Sequence, residues 1–488
     1  MKLTQTLITR SLAAAFAASA FAAPAHADEA QLMARLEKLA AELEQVKLEL
    51  AANKKETAAL RAQAESGKNP GAGNAPAMAA AGSAQTANGA GSTNHPNHPN
   101  QVNRSATDAA SSNSAVRLPA AGTTVASAEP AREGAHGAAA TVISSYGELN
   151  FSRPIRNSEN SQADAARAVI GISHRFSDKT KFVGEFEWEH AIVSKDDNGE
   201  AEVEQLYVEH DLGNGLAAKA GLFLMPVGLL NTNHEPTAYY GVKRNFVESA
   251  IIPTTWREIG LGLSKTHDNG VSWDWGLTTG FDLTKWDFDA DEGRESPLGS
   301  IHGEGQQAKS RNLAMHLAVN WRGVPGLLLG GSVFTGKLAH KTTDFAAPNA
   351  RLTLWDLHAR YTPGQWDLSA LATRATISDT AALNLTALGK ATPVPSSFYG
   401  WYMQAAYQLW KSPEYSLSPF LRYEKFNTAQ RYSAFPAGLG VAAGEAERVL
   451  TFGTNFRIGE GVVLKADYQR FKQDNTRDTL NLGLGYAF

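Results

Sequence analysis

Over residues 141–488 apolar and polar side chains alternate with a period of two, the signature of strands with one apolar and one polar face. Trp273, Trp275, Leu277, Thr279 and Phe281 are expected to face one way, and Asp274, Gly276, Thr278 and Gly280 the other. Leu313, Met315, Leu317, Val319 and Trp321 oppose Asn312, Ala314, His316, Ala318 and Asn320, and Phe182, Phe186 and Trp188 oppose Glu185, Glu187 and Glu189. The alternation is poorest near 203–211. Short turns are predicted near 177–178, 213–215, 267–270, 323–326, 363–364, 412–413 and 459–460. Between them fall longer polar loops near 154–166, 192–201, 226–256, 282–309, 339–349, 377–397, 428–446 and 473–477. Seven turns and eight loops separate sixteen strands. An even strand number, with short connections at one rim and long ones at the other, predicts an all-β transmembrane antiparallel barrel. A barrel of that size encloses an aqueous lumen.

The pattern upstream differs. Lys2 and Arg10 precede an apolar run from Leu12 to Ala23, and Ala25-His26-Ala27 supplies a small-x-small cleavage site, so 1–27 reads as a signal peptide. The run is short of the roughly 20 apolar residues that a membrane-spanning helix needs. Leu32, Leu36, Leu39, Leu43, Val46, Leu50, Asn53, Thr57 and Leu60 then recur at alternating spacings of four and three, which predicts a helical coiled coil over 28–66. A coiled coil requires partner chains, although this seam does not choose between two and three strands. Residues 67–140 are rich in Ala, Gly, Ser, Asn, Thr and Pro and are expected to form a disordered linker. His95 and His98 lie in that tract with no carboxylate or cysteine nearby, and read as linker rather than as metal ligands.

Composition narrows the compartment and the chemistry. Cysteine is absent, which excludes a lipid-anchored N-terminus, a disulfide framework and a thiolate metal site. A formal charge of −4 argues against nucleic acid as a partner. The mean hydropathy of −0.29 suits a barrel, whose strands are each only half apolar. Trp256, Trp321, Tyr361, Trp366, Tyr399, Trp401, Tyr402 and Trp410 lie near strand ends, where interfacial girdles are expected. In the last strand Leu480, Leu482, Leu484, Tyr486 and Phe488 share a face, and a closing aromatic of this kind resembles the final strand of bacterial outer-membrane barrels. With the signal peptide, this points to the outer membrane, lipid around the barrel and the N-terminal segment in the periplasm. His174, His190, His316 and His358 fall in strands, but no pattern ties one of them to a nucleophile and an orienting acid. No phosphate-binding glycine loop or paired-histidine motif is present. Neither an enzyme nor a resident metal or cofactor is expected.

The third long loop is the richest segment. It runs from Met225-Pro226-Val227-Gly228 through Asn233-His234-Glu235-Pro236 and Tyr240-Gly241-Val242-Lys243-Arg244-Asn245 to Ile252-Pro253-Thr254-Thr255-Trp256-Arg257-Glu258. These motifs, with the close from Leu464-Lys465-Ala466-Asp467-Tyr468-Gln469 to Leu484-Gly485-Tyr486, resemble the phosphate-selective porin O and P family. The resemblance implies a sixteen-stranded homotrimeric porin that passes anions through a basic constriction, its third loop folded into the barrel. It makes Lys243, Arg244 and Arg257 the constriction candidates, since a partly dehydrated anion needs donors and positive field. Glu235, Glu248 and Glu258 share that segment. The charge balance departs from the family's pattern: residues 141–488 hold 33 Lys plus Arg against 38 Asp plus Glu. Glu185, Glu187 and Glu189 form an acidic row that would favour cations if it lined the lumen, and Arg374, Arg422 and Lys465 make a basic ladder only if folding aligns them. The expectation is a porin for passive diffusion of small hydrophilic solutes, with anion or phosphate preference. The alternatives are a cation-leaning or carbohydrate porin, or a structural barrel that tethers the outer membrane to the cell wall through its coiled coil.

Overall fold

A computed structural model of the chain describes residues 140–195, 197–433, 435 and 441–488. The signal peptide, the coiled coil over 28–66 and the linker up to 139 lie outside the described residues. Within them the alternating segments form β1 (Ala140–Pro154), β2 (Gln162–Arg175), β3 (Thr180–Glu189), β4 (Ala201–Gly213), β5 (Leu216–Leu224), β6 (Arg257–Thr266), β7 (Val271–Thr278) and β8 (Ala314–Trp321). They continue with β9 (Leu327–Lys337), β10 (Arg351–Tyr361), β11 (Trp366–Ile377), β12 (Ser397–Tyr407), β13 (Trp410–Lys411), β14 (Tyr415–Arg431), β15 (Glu447–Ile458), β16 (Val462–Phe471) and β17 (Thr479–Ala487). Each pairs antiparallel with its sequence neighbours, and β13 only extends β12 along β14, so the wall has sixteen positions. β17 closes on β1, with Tyr146 opposite Ala487. Phe488 N–H donates to Ser145 O at 2.9 Å, and Ser145 N–H returns a bond to Phe488 O at 3.0 Å. Ala140 pairs with Arg175 at the end of β2, so β1 starts at the rim of short turns.

The exposed large apolar side chains, among them Leu261, Leu277, Met315, Leu317, Val319, Leu357, Met403, Leu421 and Phe452, point outward, while charged side chains turn inward. That inverts a soluble core and suits a wall facing lipid. Phe182, Phe186 and Trp188 lie outside, with Glu185 and Glu187 inside. The weak alternation near 203–211 has a structural cause. Glu185 pairs with Gln205 and Phe186 with Val203, leaving Glu204 as a bulge, so Glu204 and Gln205 both point inward and the phase flips.

A second departure lies inside the barrel. β7 ends at Thr278, and Phe281 is buried rather than outward-facing. It joins an apolar core under the long connections with Met225, Val247, Ile251, Trp256 and Phe334. Trp256 and Tyr402, expected in the girdle, are in fact interior. Tyr361 and Trp366 are exposed on the outside.

Candidate functional site

Residues 225–256, between β5 and β6, enter the barrel and are held there by its inward-facing side chains. Gly228, at φ 75°, lets the chain turn back after Pro226. Asn231 then fastens the two stems: its Nδ2 donates to Met225 O and Trp256 O, both at 2.8 Å, and its Oδ1 accepts from Trp256 N at 2.8 Å. Farther in, Tyr239 OH donates to Glu148 at 2.9 Å, and Arg167 Nη2 to His234 O at 2.7 Å. Asn455 Nδ2 and Arg422 Nη1 donate to the carbonyls of Tyr239 and Tyr240 at 3.0 and 3.1 Å. Val242 N–H reaches Asp467 Oδ2 and Phe246 N–H reaches Glu424 Oε1, each at 2.6 Å. One loop is thereby anchored to β1, β2, β14, β15 and β16, and these of its backbone groups find partners inside the lumen, as buried ones must.

Small inward residues make room for it. A Cβ on Gly485 would stand 2.6 Å from Pro236 Cβ, and one on Gly400 would stand 3.0 Å from Val247 Cγ1. Gly485 of β17 and Gly400 of β12 therefore seat the loop. Gly485→Val is expected to leave the outer wall intact while displacing the loop. Trypsin should then cut after Lys243 or Arg244 faster than in the unsubstituted protein, with mass spectrometry as the check.

The three candidate cations differ in what surrounds them. Lys243 is exposed, and Arg244 is half-buried, with Nη1 donating to Thr255 Oγ1 at 2.9 Å. Among the described residues neither has a carboxylate at salt-bridge distance, although the Arg244 charge is felt by the buried Glu148 and Glu187. Arg257 does not join them: it is buried, with Nη2 2.5 Å from Glu202 Oε2 and 3.5 Å from Glu304 Oε1. The acidic row divides as well. Glu185 and Glu187 are buried beneath the loop, whereas Glu189 at the strand end is half-buried. Arg422 pairs with Glu424 at 2.8 Å, Arg374 Nη2 bonds Ser397 and Gln430, and Lys465 Nζ lies 3.6 Å from the centre of the Tyr239 ring. They are therefore separate contacts rather than one ladder. Burial, reinforced by the charges of Arg244 and Arg167, lowers the His234 imidazole to about 3 and keeps it neutral.

Sequence patterning did not mark Asn231, Tyr239, Glu204 or Arg457, the last of which donates to Thr237 O. The partners of Tyr239, Glu204 and Arg457 lie far away along the chain, and those of Asn231 are backbone groups of its own loop, so no local spacing carries the signal.

No family model matches the chain. An uncharacterised protein of Aquifex aeolicus is 28% identical over 357 residues, covering 71% of this chain and 79% of that protein. Among solved structures, OmpF of Salmonella typhi in complex with daunomycin aligns with a TM-score of 0.50 at 13% identity, over 71% of this chain and 97% of its own. The outer membrane channel DcaP of Acinetobacter baumannii aligns at a TM-score of 0.45 and 12% identity, over 72% of this chain and 99% of its own. The anion-selective porin of Comamonas acidovorans gives 0.45 and 12%, over 72% and 100%. At such identities the likeness to OmpF concerns the course of the chain alone. The molecule is a closed sixteen-position antiparallel barrel.

Proposed function

We propose that this chain is an outer-membrane porin that passes small hydrophilic solutes by passive diffusion and favours anions, phosphate included. The observation that carries the anion preference is the uneven pairing of charge around the inward loop. Glu185 and Glu187, two of the three residues of the acidic row that would favour cations, are buried beneath that loop, and Arg257 is held by Glu202. Lys243 and Arg244 have no carboxylate at salt-bridge distance among the described residues, and Arg244 bonds Thr255 instead. Unpaired cations beside a water path set the sign of its field. The remaining parts follow the same plan. Short turns of such barrels face the periplasm, and β1 begins at that rim, which supports the reading of a periplasmic N-terminal segment with the coiled coil expected over 28–66. A homotrimer suits both that segment and the barrel.

The test is the zero-current potential of the purified protein in a planar bilayer under a KCl gradient, with and without phosphate. The expected result is anion selectivity with chloride current reduced by phosphate, and reversal toward cations in the Lys243→Glu/Arg244→Glu double variant. A neutral or cation-selective potential without block would remove the anion preference and leave the cation-leaning or carbohydrate reading. Well-folded protein without conductance would favour the tether instead.

A further inference from the structure

Three side chains far apart in sequence converge where the inward loop meets the wall: Glu185 of β3, Glu204 of the β4 bulge and His234 of the loop, all fully buried. Each offers one ligand atom, and these atoms lie within 4.8 Å of one another. We propose that Glu185, Glu204 and His234 form a divalent-cation site, suited to a first-row metal such as Zn²⁺ or Mn²⁺, that fastens the inward loop to the barrel wall.

The hydrogen bonding argues for it independently of the clustering. Glu185 Oε2 accepts from Gln205 Nε2, and Glu204 Oε2 accepts from Tyr146 OH at 2.8 Å. The second oxygen of each carboxylate, Oε1, is buried and has no hydrogen-bond partner. His234 Nδ1 lies 3.1 Å from Asn231 O. A proton on Nδ1 therefore donates to that carbonyl and leaves the Nε2 lone pair aimed into the cluster, the arrangement that orients a metal-bound imidazole. Nε2 is 3.5 Å from Glu204 Oε1 and 2.7 Å from Tyr146 OH. Tyr146 has a single proton for two acceptors, Glu204 Oε2 and His234 Nε2, so the phenol cannot serve both. A cation shared by His234 Nε2 and the two free Oε1 atoms satisfies all of them, with Tyr146 donating to Glu204 from outside.

Charge leads to the same place. Glu187 Oε1 is buried nearby without a hydrogen-bond partner, and Arg167 Nη1 stands 3.9 Å from it. Arg167 is already engaged by Glu148 at 2.9 Å and by His234 O. Buried carboxylates that share one guanidinium already paired elsewhere are costly, and a bound dication is the largest local charge that can offset them. One imidazole nitrogen with carboxylate oxygens suits Zn²⁺ or Mn²⁺, whereas Ca²⁺ and Mg²⁺ prefer oxygen-only sets.

The full-length protein, loaded with ZnCl₂ and dialysed into metal-free buffer, is expected to retain one zinc per chain by elemental mass spectrometry. Glu204→Gln and His234→Asn should each weaken retention by more than the roughly 10- to 100-fold that loss of an outer partner costs. His190→Asn, which alters an exposed histidine paired with Asp164, should retain the zinc. Zinc absent from the unsubstituted protein, or retained equally by the Glu204 and His234 variants, overturns the site. X-ray absorption on the unsubstituted zinc form needs no variant to fold: one imidazole nitrogen among oxygens supports the site, and an oxygen-only shell overturns it.

Discussion

Glu248→Ala is expected to loosen the inward loop, whose own segments it ties together and which it links through Tyr402 to β12, giving larger and noisier single-channel currents than the unsubstituted protein. Glu248 is 3% exposed and serves four donors. Oε1 accepts from the backbone N–H groups of Leu229 at 2.6 Å and Leu230 at 2.8 Å; Oε2 accepts from Asn245 Nδ2 and Tyr402 OH, both at 2.9 Å. Alanine removes every acceptor and leaves buried donors behind, each costing about 1–3 kcal/mol. Even at the low end the sum is about 4 kcal/mol, a shift of roughly a thousandfold between anchored and released loop. Tyr402→Phe, which removes only one donor, should change the currents far less. Conductance and noise are read in planar bilayers from refolded protein. If a well-folded Glu248→Ala barrel conducts like its parent, the loop is held by its other anchors and this account of it fails.

The wall was legible in the sequence because its determinants are local. A period of two reports one residue's exposure relative to the next, and turn-forming residues such as Gly213-Asn214-Gly215 mark where a strand must end. All fifteen connections were therefore placed, and the sixteen wall positions follow from them. The lumen was not legible in this way. An inward position looks polar when water fills the barrel, but here part of the interior is filled by protein. Trp256, Tyr402 and Phe281 are hydrophobic for the sake of that internal core, and alternation alone reads them as lipid-facing. The bulge at Glu204 hid its strand for a related reason, since two successive inward residues break the period.

The candidate site was legible in part. The loop was recognisable as the chemically rich segment, and Lys243 and Arg244 stand without carboxylate partners among the described residues. Arg257 looked equivalent in sequence, but Glu202 and Glu304, 55 and 47 residues away, change its role. The convergence of Glu185, Glu204 and His234 is of the same kind: three segments must first fold before their donors meet, so an expectation of no metal was all that spacing alone could give.

Trp256→Ala should produce the largest loss of stability among single substitutions in the lumen. The ring is 2% exposed and packs at 4.9 Å from Phe281 and 4.6 Å from Phe334, edge-on to the latter. Its Nε1 donates to Glu258 Oε1 at 3.0 Å, inside a region with no water-facing alternative. A buried Trp→Ala change costs about 3–5 kcal/mol through lost contacts and the cavity left behind. Stranding the Glu258 oxygen adds about 1–3 kcal/mol. Trp256→Phe keeps most of the packing and drops the hydrogen bond, so the pair of variants separates the two contributions. The comparison with Trp401→Ala matters more. Trp401 sits on the lipid side against Tyr423, with ring centres 5.6 Å apart, and its removal opens no enclosed cavity. Urea unfolding in lipid vesicles should show Trp256→Ala with a much lower midpoint and an unchanged slope, and Trp401→Ala close to its parent. Equal losses would mean that the wall alone holds the barrel together. A large gap would locate much of its stability in the protein core that the inward loop brings into the lumen, and the segment that fills the barrel would then also be the one that keeps it folded.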